Sequence, residues 1–364
     1  MKMNENFFIS KAKDPLPKDP LPYESKWEAP SNIAIIKYWG KKKLQIPKNP
    51  SLSFTLDKSV TRTSIRFEPS KTGKFKFKFF FNNSLKPDFD DKLHVFFDRI
   101  KKYVCWITNY ELTIKSINTF PHSSGIASSA SAMAALSLAI MDLESYLFNF
   151  EKNDFFFTKA SFLARIGSGS ASRSIKGPVT IWGDNRKISN SSDLYAIEFG
   201  KDLNSIFKSY QDIILLVDKE SKNVSSTTGH DLMFSNPYAE KRFLQARRNF
   251  DSLIPIMKSG DLDAFIKIIE LEALSLHAMM MTSNPYYILM KPNTLSIIEK
   301  LWDFRKEKNI PACFTMDAGA NVHILYPLEY EKQMIPFINQ ELSSFCKNKE
   351  YIVDQAGTGA RKLD

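Results

Sequence analysis

The sequence is short of the residues that build metal sites and cross-links. Three cysteines (Cys105, Cys313, Cys346) occur in 364 residues. They are odd in number, widely spaced and form no CxxC pair, which argues against a disulfide framework or a cysteine zinc site and favours a reducing compartment. Five histidines include no HExxH pattern. The start, MKMNENFFISKAKD, has no long apolar run, so no secretory leader is expected. No stretch of about 18 apolar residues occurs, so no membrane span is expected. The cytoplasm is the expected location. The net charge is +10 and the pI about 9.2, yet Lys and Arg are scattered, with one short run at Lys41–Lys43. Without a helix-length basic stripe, the surplus suits an anionic small molecule better than nucleic acid. Neither a Walker loop nor GxGxxG is present, and no internal repeat is visible.

What the chain does hold is the balance of a folded globular protein, 43% hydrophobic and 25% charged. Its length allows two domains. Residues 1–28, with their KDPLPKDPLP doublet, read as an extended arm on the surface. From Ala29 the patterning becomes regular. SNIAIIKYW reads as a buried strand, SLSFTLD and SVTRTSIRFEP as strands around a turn, and GKFKFKFFFNNSLK as a half-apolar strand turning at Asn82-Asn83. Helices are expected over 91–107, ASSASAMAALSLAIMDLESYLF and 153–166. Strands are expected at ELTIKSINTF, GPVTIWG and DLYAIEFG. A second unit begins at QDIILLVDKE and runs through helices near 238–257, 261–281 and 291–307. CFTMDAGANVHILYP reads as strand, turn and strand; a final helix and the strand YIVDQAG close the chain. Strands and helices do not alternate regularly, which predicts α+β rather than a doubly wound sheet. The expected division is an arm at 1–28 and domains at 29–205 and 206–364.

PHSSGIASSASAMAAL passes from a loop of small residues straight into a helix. A helix start has unpaired N–H groups and partial positive charge, which suits phosphate. Gly125 permits close backbone approach, and Ser123, Ser124, Ser128 and Ser129 lie in the same segment. A helix merely capped by serine is the competing reading.

This loop resembles the phosphate loop of the GHMP kinase superfamily. APSNIAIIKYWGKK resembles the opening motif of diphosphomevalonate decarboxylases, RIGSGSASRSIKGPVTIW their GSGSA-x-RS motif, and MDAGAN their DAGPN loop. KNVSSTTGH and QAGTG also correspond, and the matches run in order from Ala29 to Gly359. The resemblance implies a two-domain GHMP-kinase fold: an N-terminal domain like ribosomal protein S5 domain 2 and a ferredoxin-like C-terminal domain, with the site between them. It implies ATP-dependent decarboxylation of (R)-5-diphosphomevalonate to isopentenyl diphosphate in isoprenoid biosynthesis, with ATP and Mg²⁺ as cofactors and a homodimer as the assembly. By position, Asp317 matches the catalytic aspartate, Lys37 the lysine near it, and Arg173 the arginine that grips the substrate carboxylate. Tyr38, Lys41, Ser168 and Ser170 match residues at the substrate diphosphate, and Ser225 or Ser226 a further substrate contact. Ser123, Ser124, Gly125, Ser128 and Ser129 match the ATP-phosphate loop. Mg²⁺ is expected mainly through the ATP phosphates, with Ser129 as a candidate hydroxyl.

Some positions depart from the pattern. His122-Ser123-Ser124 stands where relatives often have small residues, and His122 reads as a capping or surface group. Ala320 replaces the usual proline, which would loosen that turn. The arm has no counterpart in shorter members. His277 and Met279–Met281 read as the end of a core helix; an apolar wall for the substrate is the alternative.

The implied chemistry suits the residue types. An aspartate within reach of the 3-hydroxyl either accepts its proton or chiefly orients it, and a nearby ammonium keeps that carboxylate ionised. A guanidinium presents a planar fork to a carboxylate. Lys37 with Asp317 favours decarboxylation over a mevalonate 3-kinase, and Tyr38 with Lys41 favours a diphosphate over phosphomevalonate. An intact Lys37, Arg173 and Asp317 set argues against a non-catalytic ATP-binding regulator. All of this requires three residues distant in the chain to meet in one cleft.

Overall fold

Alternating apolar runs rich in Ile, Val, Phe and Thr give two sheets. The computed structural model describes residues 4–10, 21–70, 75–121, 126–218 and 226–364. The larger sheet contains β1 (Tyr23–Ile36), β2 (Ser51–Pro69), β3 (Lys76–Phe81), β4 (Ser84–Leu85), β5 (Tyr110–Asn118), β6 (Val179–Trp182) and β7 (Ala196–Glu198). The smaller is antiparallel and holds β8 (Gln211–Leu215), β9 (Cys313–Thr315), β10 (Val322–Tyr326) and β11 (Tyr351–Gln355), in the order β11-β8-β10-β9. The last strand, β12 (Arg361–Lys362), returns to the larger sheet, whose order is β12-β1-β2-β5-β3-β4 with β6 on β2 and β7 on β6.

Helices α1 (Asp90–Ile100), α2 (Ser128–Leu147) and α3 (Asp154–Gly167) accompany the larger sheet. Four more, α4 (Ser226–Leu232), α5 (Ala239–Ser259), α6 (Leu262–Met281) and α7 (Pro292–Lys308), separate β8 from β9, and α8 (Glu331–Phe337) precedes β11. The second unit is thus α+β with a ferredoxin-like strand order. Helix α2 has the length and composition of a membrane span, but 78% of that window is buried inside the fold. Its alanines 130, 134, 135 and 139 are fully buried against the core.

The structure departs from the sequence expectations at four places. The turn expected between SLSFTLD and SVTRTSIRFEP does not separate two strands, because β2 runs from Ser51 to Pro69 as one. The helix expected over 91–107 ends at Ile100; Cys105–Asn109 form a 3-10 turn whose Trp106 and Ile107 are buried. Strand β1 starts at Tyr23, inside the segment read as an arm. Nor is that arm wholly superficial. Phe8 is fully buried and stacks on Phe162 with ring centroids 4.3 Å apart. Ser10 Oγ donates to Glu144 Oε1 at 2.6 Å, beside the buried Lys159–Glu144 ion pair. Residues 11–20, most of the proline-rich doublet, lie outside the described residues. Phe8→Ala is expected to destabilise by about 3–5 kcal/mol. The check is a lower urea midpoint at unchanged slope; an unchanged midpoint would remove this segment from the core.

The two units share a core. Ile33, Ile35, Leu52 and Phe54 of the larger sheet pack with Phe207, Ile214, Phe250 and Phe265. A polar clasp joins them as well: the buried Asp354 carboxylate accepts the N–H groups of Asp57, Lys58 and Ser59 at 2.7–2.9 Å. The middle of β2 is thereby held against the second unit.

Candidate active site

Two register shifts interrupt the pairing of β1 with β2, one between Pro30 and Asn32 and one between Ala34 and Ile36. Bulges of this kind re-aim side chains. Just beyond the second, Lys37 is buried, at 1% exposure. Its Nζ donates to the Ala34 carbonyl at 2.5 Å and to Asp317 Oδ1 at 3.1 Å. Burial pulls the ammonium below the ordinary lysine value, and the Asp317 charge opposes that shift.

Asp317 stands on the turn between β9 and β10 and keeps 30% of its side chain exposed. Both ends of the turn are tied. The Asp317 carbonyl accepts from Gly319 N–H at 2.7 Å and lies 3.2 Å from Nε2 of the buried His277. Thr294 Oγ1 donates to the Ala320 carbonyl at 2.8 Å. His277 therefore supports the turn as well as filling a helix end. Met279 and Met280 pack in a small cluster with Trp39, Phe243 and Ala318.

Arg173 lies in the 3-10 turn Gly169–Ser174 that follows α3. It is buried, and its partners are neutral. Nη1 donates to Ser51 Oγ at 2.7 Å, Nε to Asn32 Oδ1 at 3.4 Å, and the guanidinium carbon lies 5.5 Å from the Trp182 ring centroid. Among the described residues it forms no ion pair. Burial pulls its pKa down to about 10, with the charges of Asp317 and then Tyr38 acting in the other direction. Asn32 also donates to the Ser170 carbonyl and to Ser174 Oγ, binding β1 to the GSGSA turn.

Tyr38 packs edge-on to Trp182 and against His230, with centroids 4.7 and 4.5 Å apart. A Cβ at Gly169 would lie 2.7 Å from its hydroxyl, so glycine is what lets the Ser168–Ser170 turn approach it. That hydroxyl is buried without a hydrogen-bond partner among the described residues, and burial raises its pKa. Lys41 is half-buried in a loop closed by the Lys42 N–H to Ile46 carbonyl bond at 2.7 Å; the buried Arg165 donates to the Leu44 carbonyl of the same loop. His230 accepts the Gly40 N–H at Nδ1, 2.9 Å away. Its pKa is pulled down to about 3 by burial, then by Lys41 and Arg173, so the imidazole is neutral with its proton on Nε2.

Helix α2 starts at Ser128 with Ala127 as N-cap, in the left-handed region (φ 40°) and without a side-chain cap. A serine cap is therefore not what occupies this helix start. Ser128 is half-buried and Ser129 exposed. Ser31 of β1 donates to the Ile126 carbonyl at 2.7 Å, tying this loop to the strand that carries Lys37. His122, Ser123, Ser124, Gly125 and Ser225 lie outside the described residues, as does the side chain of Ser226, whose backbone opens α4.

Lys37 and Asp317 thus meet directly, and Arg173, Tyr38, Ser168 and Ser170 surround the same end of β1. Sequence reasoning missed Asn32, Ser51 and His230. A signal existed for the first, since a lone asparagine inside an apolar strand breaks the local pattern. His230 and Ser51 carried none beyond their motifs.

Two family models match the chain: the diphosphomevalonate decarboxylase-like N-terminal domain over residues 29–195 and the mevalonate 5-diphosphate decarboxylase C-terminal domain over 212–362. The diphosphomevalonate decarboxylase of Ganoderma lucidum is 30% identical over 339 residues, 87% of this chain and 81% of that one. Among solved structures, mevalonate diphosphate decarboxylase from Staphylococcus aureus is 28% identical with a TM-score of 0.81, covering 94% of this chain and 99% of that one. A structure of MDDEF in complex with MVAPP, AMPPCP and magnesium is 26% identical with a TM-score of 0.79, over the same shares.

Proposed function

This chain belongs to the diphosphomevalonate decarboxylase family, and from that membership we propose that Lys37, Asp317 and Arg173 carry its reaction. The chain is an ATP-dependent decarboxylase of the mevalonate pathway, acting on (R)-5-diphosphomevalonate to give isopentenyl diphosphate, ADP, phosphate and CO₂. The observation that carries the assignment of roles is the buried, ion-pair-free Arg173 beside the Lys37–Asp317 pair. A buried charge is costly unless paired, and a substrate carboxylate supplies the missing partner.

In this reading Asp317 receives the 3-hydroxyl, orients it and takes its proton as the phosphoryl group arrives. Lys37 holds that carboxylate in place and ionised. Arg173 grips C1 until its carboxylate departs as CO₂ and the bonding pair forms the alkene, with phosphate leaving from C3. Tyr38 offers its unpartnered hydroxyl, and Lys41, Ser168, Ser170 and the Ser225–Ser226 segment close on the diphosphate. The uncapped start of α2, with Ser128 and Ser129 and the adjoining 123–125 loop, fits the ATP phosphates. Mg²⁺, which neutralises phosphate charge when bound, would come with ATP, and Ser129 is the exposed hydroxyl at the α2 start that would hold it. The same reading keeps a domain boundary near residues 205–206. It takes the assembly to be a cytoplasmic homodimer with no nucleic-acid or membrane partner; three free thiols support a reducing compartment.

The test is incubation with ATP, Mg²⁺ and mevalonate, its 5-phosphate or its 5-diphosphate in turn. ADP and CO₂ are expected together, and only with the 5-diphosphate. CO₂ from the 5-phosphate would make the enzyme a phosphomevalonate decarboxylase, and ADP without CO₂ a 3-kinase.

A further inference from the structure

The backbone of Lys37 is clamped from both units of the fold. Strand β1 ends at Ile36, and the next N–H, that of Lys37, donates at 2.9 Å to Oε2 of Glu272 on α6. The Lys37 carbonyl accepts from Asn49 Nδ2 at 3.1 Å. Glu272 is fully buried. Its Oε2 also accepts Arg242 Nη2 at 2.6 Å, and its Oε1 accepts Arg242 Nη1 at 2.9 Å and Asn249 Nδ2 at 2.6 Å. Four donors fill the acceptor sites of one carboxylate, and the paired bonds from Arg242 fix its plane. Arg242, on α5, is buried too. A core helix that needed only packing would place an apolar residue at 272.

We propose that Glu272, held by Arg242, is a positioning residue for Lys37, setting the peptide from which the ammonium reaches Asp317. This rests on the role given to Lys37 above. Glu272 acts through geometry and through charge. It stands on the far side of Lys37 from Asp317 along the chain of contacts, and its charge, after that of Asp317, opposes the downward pull of burial on the ammonium. The other ionisable groups about Lys37 are Arg173 after α3, Asp212 on β8, His277 on α6 and Arg242 behind Glu272. Removing the Glu272 charge leaves this set more positive. Lys37 then loses its proton at lower pH.

The experiment compares Glu272→Gln, Lys37→Met and the double variant Glu272→Gln/Arg242→Gln with wild type, each as full-length protein, measuring kcat, KM and the pH profile of kcat per folded molecule. Glu272→Gln is expected to lower kcat roughly 10- to 100-fold, as small misplacements of a catalytic group do. Both KM values are expected to stay within about threefold, and the alkaline limb of kcat to move to lower pH. Wild-type kcat and limb in Glu272→Gln, alongside an inactive Lys37→Met, overturn the proposal. A lower thermal midpoint alone does the same. Wild-type kcat in Lys37→Met overturns the role of Lys37 itself. If Glu272→Gln does not fold, the double variant, which strands no lone buried charge, is read by the same criteria.

Discussion

Asp317→Asn is expected to lower kcat roughly 10²–10⁴-fold while leaving ATP affinity unchanged in calorimetric titration. The substitution is isosteric, and an asparagine Oδ1 still accepts from Lys37 Nζ at the present 3.1 Å. His277, Gly319 and Thr294 hold the backbone of the turn, and the substitution leaves those bonds in place. What disappears is the negative charge and the proton acceptor. Asp317→Ala removes the orienting contact as well. If the aspartate chiefly orients the hydroxyl, Asn retains far more activity than Ala; if it takes the proton, the two fall together. Near-normal turnover in Asp317→Asn would end its catalytic role. ATP affinity is insulated because the proposed phosphate contacts come from α2 and the loop before it, not from the Asp317 side chain.

The second large effect concerns Arg173→Met. Losing one partner of a buried charge pair formed with substrate costs about 2–5 kcal/mol, or roughly thirty- to several-thousand-fold in kcat/KM. The free protein is expected to keep or raise its thermal midpoint. Most buried charges cannot be deleted so cheaply, because an opposite charge is stranded. Here no carboxylate is stranded. Ser51 Oγ still donates to the Trp182 carbonyl, and Asn32 still donates to Ser170 and Ser174. A marked fall in thermal midpoint would show Arg173 to be structural, and an unaltered kcat/KM would remove it from the substrate site.

The long periodic elements were legible in the sequence for simple reasons. Helix α2 is Ala- and Leu-rich and free of Gly and Pro, and β8 leads into the apolar run Ile213–Val217, so local preference and tertiary environment agree. The turn at Asn82-Asn83 was legible because both residues tolerate positive φ, and they adopt 49° and 62°. The site was legible where motifs concentrate it, and Lys37 does meet Asp317 across 280 positions of chain. Other features escaped because their cause is tertiary. Phe8 looked like part of an exposed arm, since its partner Phe162 is more than 150 residues away in sequence. Glu272 looked like an ordinary helical glutamate, since nothing local announces Arg242 or the Lys37 peptide. Strand β12 is two residues long, too short to show any periodicity.

That short strand closes the outer edge of β1. Trp27 and Glu28 on the outer edge of β1 pair with Lys362 and Arg361, and the Leu363 N–H donates to the Lys26 carbonyl. The ribosome delivers the first strand well before the residues that cover its rim, which lie 333 positions further along the chain. Throughout synthesis that rim offers open backbone groups to any passing chain. A variant unable to form the Arg361–Leu363 pairing would leave an otherwise folded molecule with a sticky, unfinished border.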